Sequence, residues 1–175
     1  MRRARFTSID LALLAVVGVI CGVIFTATWT IYNVSEAIAG PVGARIISYG
    51  LWFIGAPLAA SLLKKPLSAF LGEFLSALIE TLIAPAGGIT NVIYGCAQGL
   101  ASELGYLIFR YKRWDIFSGA IAGALAGIPA VGLDALLFGL IGGPTEMSLW
   151  VLAACFSGAI YGALVSSVGL SIRRQ

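Results

Sequence analysis

Long apolar runs separated by short clusters of Gly, Pro, Lys and Arg fill the whole chain, and each run has the length of a bilayer crossing. A crossing helix needs about 20 mostly apolar residues, and six runs meet that need: 8–31, 45–63, 66–84, 90–109, 117–140 and 148–172. The breaks between them are Gly40-Pro41-Val42-Gly43, Lys64-Lys65-Pro66, Pro85-Ala86-Gly87-Gly88, residues 110–115 and Gly142-Gly143-Pro144. Clusters of Gly and Pro of this kind punctuate helices. The pattern therefore predicts an all-α, polytopic membrane protein with six transmembrane helices. Residues 1–175 form one membrane domain, because the loops are too short for another. Pro57 and Pro129 fall inside the second and fifth runs, where each is expected to kink its helix.

The polar positions inside these runs carry the functional signal. Glu73, Glu80, Glu103 and Asp134 all lie within apolar stretches, where an ionised side chain costs a few kcal/mol on the mildest scales and is usually functional. Glu73 and Glu80 are seven residues apart and share a helix face with Gly72, Ser76 and Ala77. Asn91, Tyr94, Gly95, Gln98 and Ser102 form one continuous face of the fourth run. With about 1.5 Å of rise per residue, Glu80, Asn91, Tyr94, Gln98 and Asp134 reach a common depth in the outer half of the bilayer. They sit beneath the aromatics Trp29, Tyr32, Tyr49, Trp52 and Trp150, which also suit an interfacial belt.

A pocket that opens outward is the direct expectation. Two carboxylates suit a cation or a heterocycle with N–H donors, and Asn and Gln each add a donor and an acceptor. Trp52, Tyr49 and Tyr94 can stack on a flat or cationic ring. The same polar groups can instead bond one another to hold helices together. Glu103 lies about 140° around its helix from Gln98, in the inner half, and fits a structural or partner-facing role. Glu73 is similarly deep and suits a protonated group, a relay or a hydrogen-bonding strut.

Composition changes this picture little but excludes much. Charged residues are 11% of the 175 and hydrophobic ones 59%, against about 25% charged in a soluble domain; the mean hydropathy is +0.98. The net charge of +3 reflects topology rather than nucleic-acid binding: ten of the eleven Lys and Arg fall on one side of a six-crossing arrangement, and only Arg45 falls on the other. The positive-inside rule makes that side cytoplasmic, with both termini inside a prokaryotic plasma membrane and a retained first helix. Cys21, Cys96 and Cys155 are far apart in apolar runs and read as buried hydrophobes. With no histidine, no grouped cysteines and no GxxxxGK[ST] loop, no metal, cofactor or self-contained ATPase chemistry is expected. Glycine pairs such as Gly18/Gly22, Gly95/Gly99 and Gly158/Gly162 allow close helix contact, either within the chain or, for the first run, with a partner subunit.

The stretch Tyr49-Gly50-Leu51-Trp52-Phe53-Ile54 is followed by Lys65-Pro66, Gly72-Glu73-Phe74, Ile79-Glu80, Gln98-Gly99, Ser102-Glu103 and Asp134. From the first run to the sixth, these residues make the chain resemble the YkoE family, substrate-binding S components of energy-coupling factor (ECF) vitamin transporters. The resemblance implies an S-component-like bundle that captures thiamine or its hydroxymethylpyrimidine precursor from outside. A transmembrane coupling protein and two cytoplasmic ATPases would then supply the power. It also implies Glu80 and Gln98 at the aminopyrimidine, Trp52 or Tyr94 against a ring, and Asp134 near the positive charge. Many S components carry an AxxxA pattern on the first helix, whereas this chain has Ala12-Leu13-Leu14-Ala15 and then Gly18 and Gly22. The residues alone leave open a proton-coupled carrier that cycles protons on Glu73, Glu80 and Glu103, and a membrane enzyme or assembly factor.

Overall fold

The computed structural model describes residues 5–83 and 87–174. Arg2 and Arg3, and Pro85 and Ala86 of the expected third break, lie outside them. The described residues are all helical apart from turns. In order they form α1 (Ser8–Ser48), a 3₁₀ turn (Tyr49–Phe53), α2 (Gly55–Leu63), α3 (Ser68–Ile83), α4 (Ile89–Ile108), α5 (Ile116–Phe138) and α6 (Pro144–Arg174). By length and apolar composition alone, three stretches among the described residues suffice to cross a bilayer: Ser8–Leu63, Ile116–Phe138 and Pro144–Arg173. The count of six crossings is thus not established by helix length.

The first two runs differ most from expectation. The first helix continues beyond residue 31 and is interrupted only at Gly40, where φ is +67°. A side chain is disfavoured there, and Pro41 then restarts the helix without needing an N–H. The second run is not one helix: residues 45–48 finish α1, residues 49–53 tighten into 3₁₀ geometry, and α2 is only nine residues long. Pro57 consequently lies in the first turn of α2 rather than at a kink, where its missing N–H costs no intrahelical bond. Pro129 lies within α5, which is assigned as helix throughout.

Sequence-local devices fix the helix starts. Thr7 and Asp10 form a reciprocal capping box at α1, and Asp115 and Ser118 do so at α5. Lys65, in the turn between α2 and α3, pairs with Asp10 and ties that turn to the start of α1.

Helices meet through small residues. A Cβ added at Gly158 would lie 2.1 Å from the Gly123 carbonyl oxygen, and one at Gly123 would lie 2.1 Å from that of Gly158. The α5 and α6 backbones therefore touch at these positions, the packing expected where lipid gives no hydrophobic drive between helices. Gly18 and Gly22 of α1 meet Leu75, Ser76 and Ile79 of α3, so the glycine pair of the first run packs within the chain. The surface is inverted relative to a water-soluble protein: Ile9, Leu82, Leu136 and Ile141 are exposed, while Arg45, Glu73, Glu80, Glu103 and Asp134 are buried. That inversion is what a lipid solvent requires.

Candidate functional site

A cavity of about 330 Å³ opens between α1, the 3₁₀ turn, α3, α4 and α5. Phe25, Trp29 and Tyr32 come from α1; Tyr49, Trp52 and Phe53 from the 3₁₀ turn; Ala77 and Glu80 from α3. Asn91, Tyr94 and Gln98 come from α4, and Ala130, Asp134 and Phe138 from α5. The sets from α1, α3, α4 and α5 repeat every three or four residues, so each of these helices offers one face. Tyr49, Trp52, Glu80, Asn91, Tyr94, Gln98 and Asp134 all line this cavity. The volume lies within the roughly 300–1,000 Å³ of small-molecule sites.

Two polar groups are presented to the cavity in different ways. Glu80 is 3% exposed, and its Oε1 accepts from Trp29 Nε1 (2.9 Å) and Trp52 Nε1 (3.2 Å). The two indoles pack edge to face with centroids 5.2 Å apart, and the Trp52 N–H is shared with the Phe25 carbonyl at 3.1 Å. Neutral donors thus orient this carboxylate, and it forms no ion pair with the described residues. Gln98 is 5% exposed and lines the same wall, and its amide makes no hydrogen bond to another described residue. A buried amide is normally bonded, which sets Gln98 apart from Glu80 and Asp134 on the same lining.

Asp134 is different, because the protein already satisfies it. Arg45 Nη2 lies 3.2 Å from its Oδ2, the Tyr49 hydroxyl donates to the same oxygen, and the Tyr94 hydroxyl donates to Oδ1 at 2.8 Å. The Arg45 guanidinium is itself enclosed: Nη1 donates to the Pro41 carbonyl at 3.1 Å, and Cζ lies 4.4 Å from the Trp150 ring centroid and 5.2 Å from that of Tyr49. Arg45 is the important residue that sequence reasoning passes over. Its signal was present, since it is the single basic residue on the wrong side of the charge bias, and such a residue in a membrane run is expected to pair. Trp29 and Tyr32 were also underread: they line the cavity rather than serving only as interfacial belt.

Glu73 and Glu103 line no part of this wall. Glu73 Oε2 accepts from Ala56 N–H at 2.8 Å, at the start of α2. Glu103 accepts from Leu67, Ala69 and Phe70 N–H at 2.6, 3.1 and 3.1 Å, at the start of α3. Both carboxylates therefore satisfy helix N-termini of neighbouring elements, where negative charge is favoured.

Comparison with known proteins places this geometry. The family model described as "ABC-type cobalt transport system, permease component" matches residues 9–129. The Bacillus subtilis (strain 168) "Putative HMP/thiamine permease protein YkoE" is 26% identical over 157 residues, covering 89% of this chain and 78% of that protein. A crystal structure of an S component of an ECF transporter superposes with a TM-score of 0.87 at 24% identity, over 96% of this chain and 85% of that one. The chain belongs to the family of ABC-type cobalt transport system permease components, and it has the fold of an ECF-transporter S component.

Proposed function

We propose that this chain is the membrane-embedded capture subunit of an ECF-type vitamin importer, taking thiamine or hydroxymethylpyrimidine into the cavity from outside. Six crossings, both termini cytoplasmic, and delivery powered by a transmembrane coupling protein with two cytoplasmic ATPases complete the reading. The observation that carries it is that one cavity is lined by both Glu80 and Gln98, a carboxylate without a cationic partner and a buried amide without a hydrogen-bond partner among the described residues, together with indole and phenol rings. An aminopyrimidine edge presents N–H donors and a ring-nitrogen acceptor, which a carboxylate and an amide complement. Trp29, Trp52 and Tyr94 offer faces for its ring or for a thiazolium.

The name of the relative, an HMP/thiamine permease, agrees with this chemistry. The donor set favours it over a bare divalent metal as cargo: no group of three His, Cys, Asp or Glu side chains is assembled among the described residues, and the wall is largely aromatic. The capture reading also gains over a proton-coupled carrier, because Glu73 and Glu103 are engaged at helix N-termini. Transport on this reading requires no chemistry on the ligand.

The test is titration of thiamine and hydroxymethylpyrimidine into the purified chain in detergent, read by tryptophan fluorescence. Saturable quenching is expected because Trp29 and Trp52 form the wall. Glu80→Gln should weaken binding roughly 10- to 100-fold, the worth of a hydrogen bond to a charged group, and Gln98→Ala roughly 3- to 10-fold. No response to either ligand, or full affinity in both variants, rejects the proposal.

A further inference from the structure

Two carboxylates reach the cavity wall, and the simplest expectation is that both act on the ligand. The contacts divide them. Every strong partner of Asp134 is a protein donor: the Arg45 guanidinium and the Tyr49 and Tyr94 hydroxyls. Arg45 is 1% exposed and is enclosed by the Trp150 and Tyr49 rings and the Pro41 carbonyl, so water does not screen it from its partner. Glu36, near the aromatic wall, is exposed and accepts from the Tyr32 hydroxyl. Glu80 remains, oriented by neutral indoles alone.

We infer that Asp134 is the counter-ion of Arg45 rather than a ligand carboxylate, and that Arg45 is a positioning residue that neutralises it, leaving Glu80 as the carboxylate open to a ligand. The pair also joins the segment that follows the Gly40 break to α5, and through Trp150 to α6. The inference rests on the cavity being the ligand site proposed above, and it deepens that reading into a charge rule. The site takes one positive charge, or one donor edge, at the Glu80 end. A second cationic group at the Asp134 end would meet a carboxylate already neutralised.

The test compares wild type, Asp134→Asn, Arg45→Gln and the double variant, each in detergent. Two readouts are taken: thermal unfolding, and the ratio of affinities for thiamine, which is cationic, and hydroxymethylpyrimidine, which lacks the thiazolium. Asp134→Asn uncovers the Arg45 charge and should lower thiamine affinity roughly 10-fold relative to hydroxymethylpyrimidine, as one uncompensated like charge beside a partly buried site would. The double variant should return the ratio to within about 3-fold of wild type, because the site charge is again that of Glu80 alone. A ratio that stays depressed in the double variant shows that Asp134 touches the ligand, and overturns the inference.

Unfolding gives an answer that does not depend on the ligand. Each single variant strands a buried charge and should melt lower than the double variant. Strictly additive losses would also overturn it. Arg45→Lys, which keeps the charge, should retain the wild-type ratio if a single variant fails to fold. Failure of wild type to bind either vitamin rejects the proposed substrate but leaves the unfolding arm to decide the pairing.

Discussion

Glu103→Ala offers the cleanest separation of fold from function in this protein. Glu103 lies on α4 and is 5% exposed, yet it accepts three backbone N–H groups at the start of α3, from Leu67, Ala69 and Phe70. Leu67 has φ +69°, a conformation that costs a non-glycine residue about 1–2 kcal/mol, and its N–H makes the shortest of the three bonds, at 2.6 Å. Truncation strands these donors. The Leu67 site is exposed enough for water to replace the acceptor, so only two donors count fully, at about 1–2 kcal/mol each. The loss is therefore about 2–4 kcal/mol, and at about 2–4 °C per kcal/mol for a chain of this size the melting temperature should fall by about 5–15 °C. Glu103→Gln keeps one acceptor oxygen and should lose about half of that. Thermal unfolding in detergent measures the shift. Affinity of the folded fraction for the proposed ligand should stay within about 2-fold, since Glu103 does not line the cavity. An unchanged melting temperature in Glu103→Ala, or a selective loss of affinity without destabilisation, would refute the reasoning.

Two further contacts, at Glu73 and at Gly158, can be tested in the same way. At Glu73, only Oε2 bonds a described donor, Ala56 N–H, while Oε1 has no partner among the described residues. Glu73→Gln should thus cost less than about 1 kcal/mol and Glu73→Ala about 1–3 kcal/mol; equal losses in unfolding experiments would mean that the charge, not the acceptor, matters. At Gly158, an added Cβ would meet the Gly123 carbonyl carbon at 2.7 Å as well as its oxygen, so Gly158→Ala must part α5 from α6 and should cost about 1–3 kcal/mol, seen as a lower melting temperature. A substitution that leaves it unchanged would show that the helices separate freely there.

The all-helical membrane class and a shared polar face were legible in the sequence alone. Period and hydropathy depend only on the order of residues along the chain, so apolar runs, their breaks, and the shared face of Asn91, Tyr94 and Gln98 could be read directly. Depth arithmetic brought Glu80 and Asp134 to one level, because rise per residue is nearly constant in a helix. What it misplaced was local geometry around residues 40–57, where Gly40, Pro41 and Pro57 all signal breaks but hydropathy does not say which break ends a helix and which begins one. What it had no means to see was pairing. Arg45 and Asp134 are 89 residues apart, Glu103 meets a helix start 33–36 residues away, and nothing in one-dimensional spacing encodes such meetings. The four carboxylates look alike in the chain. Only the packing of the helices gave Glu73 and Glu103 to helix termini, Asp134 to a buried arginine, and left Glu80 between two indoles, because which charge is compensated depends on what lies across the interface rather than on what lies next in sequence.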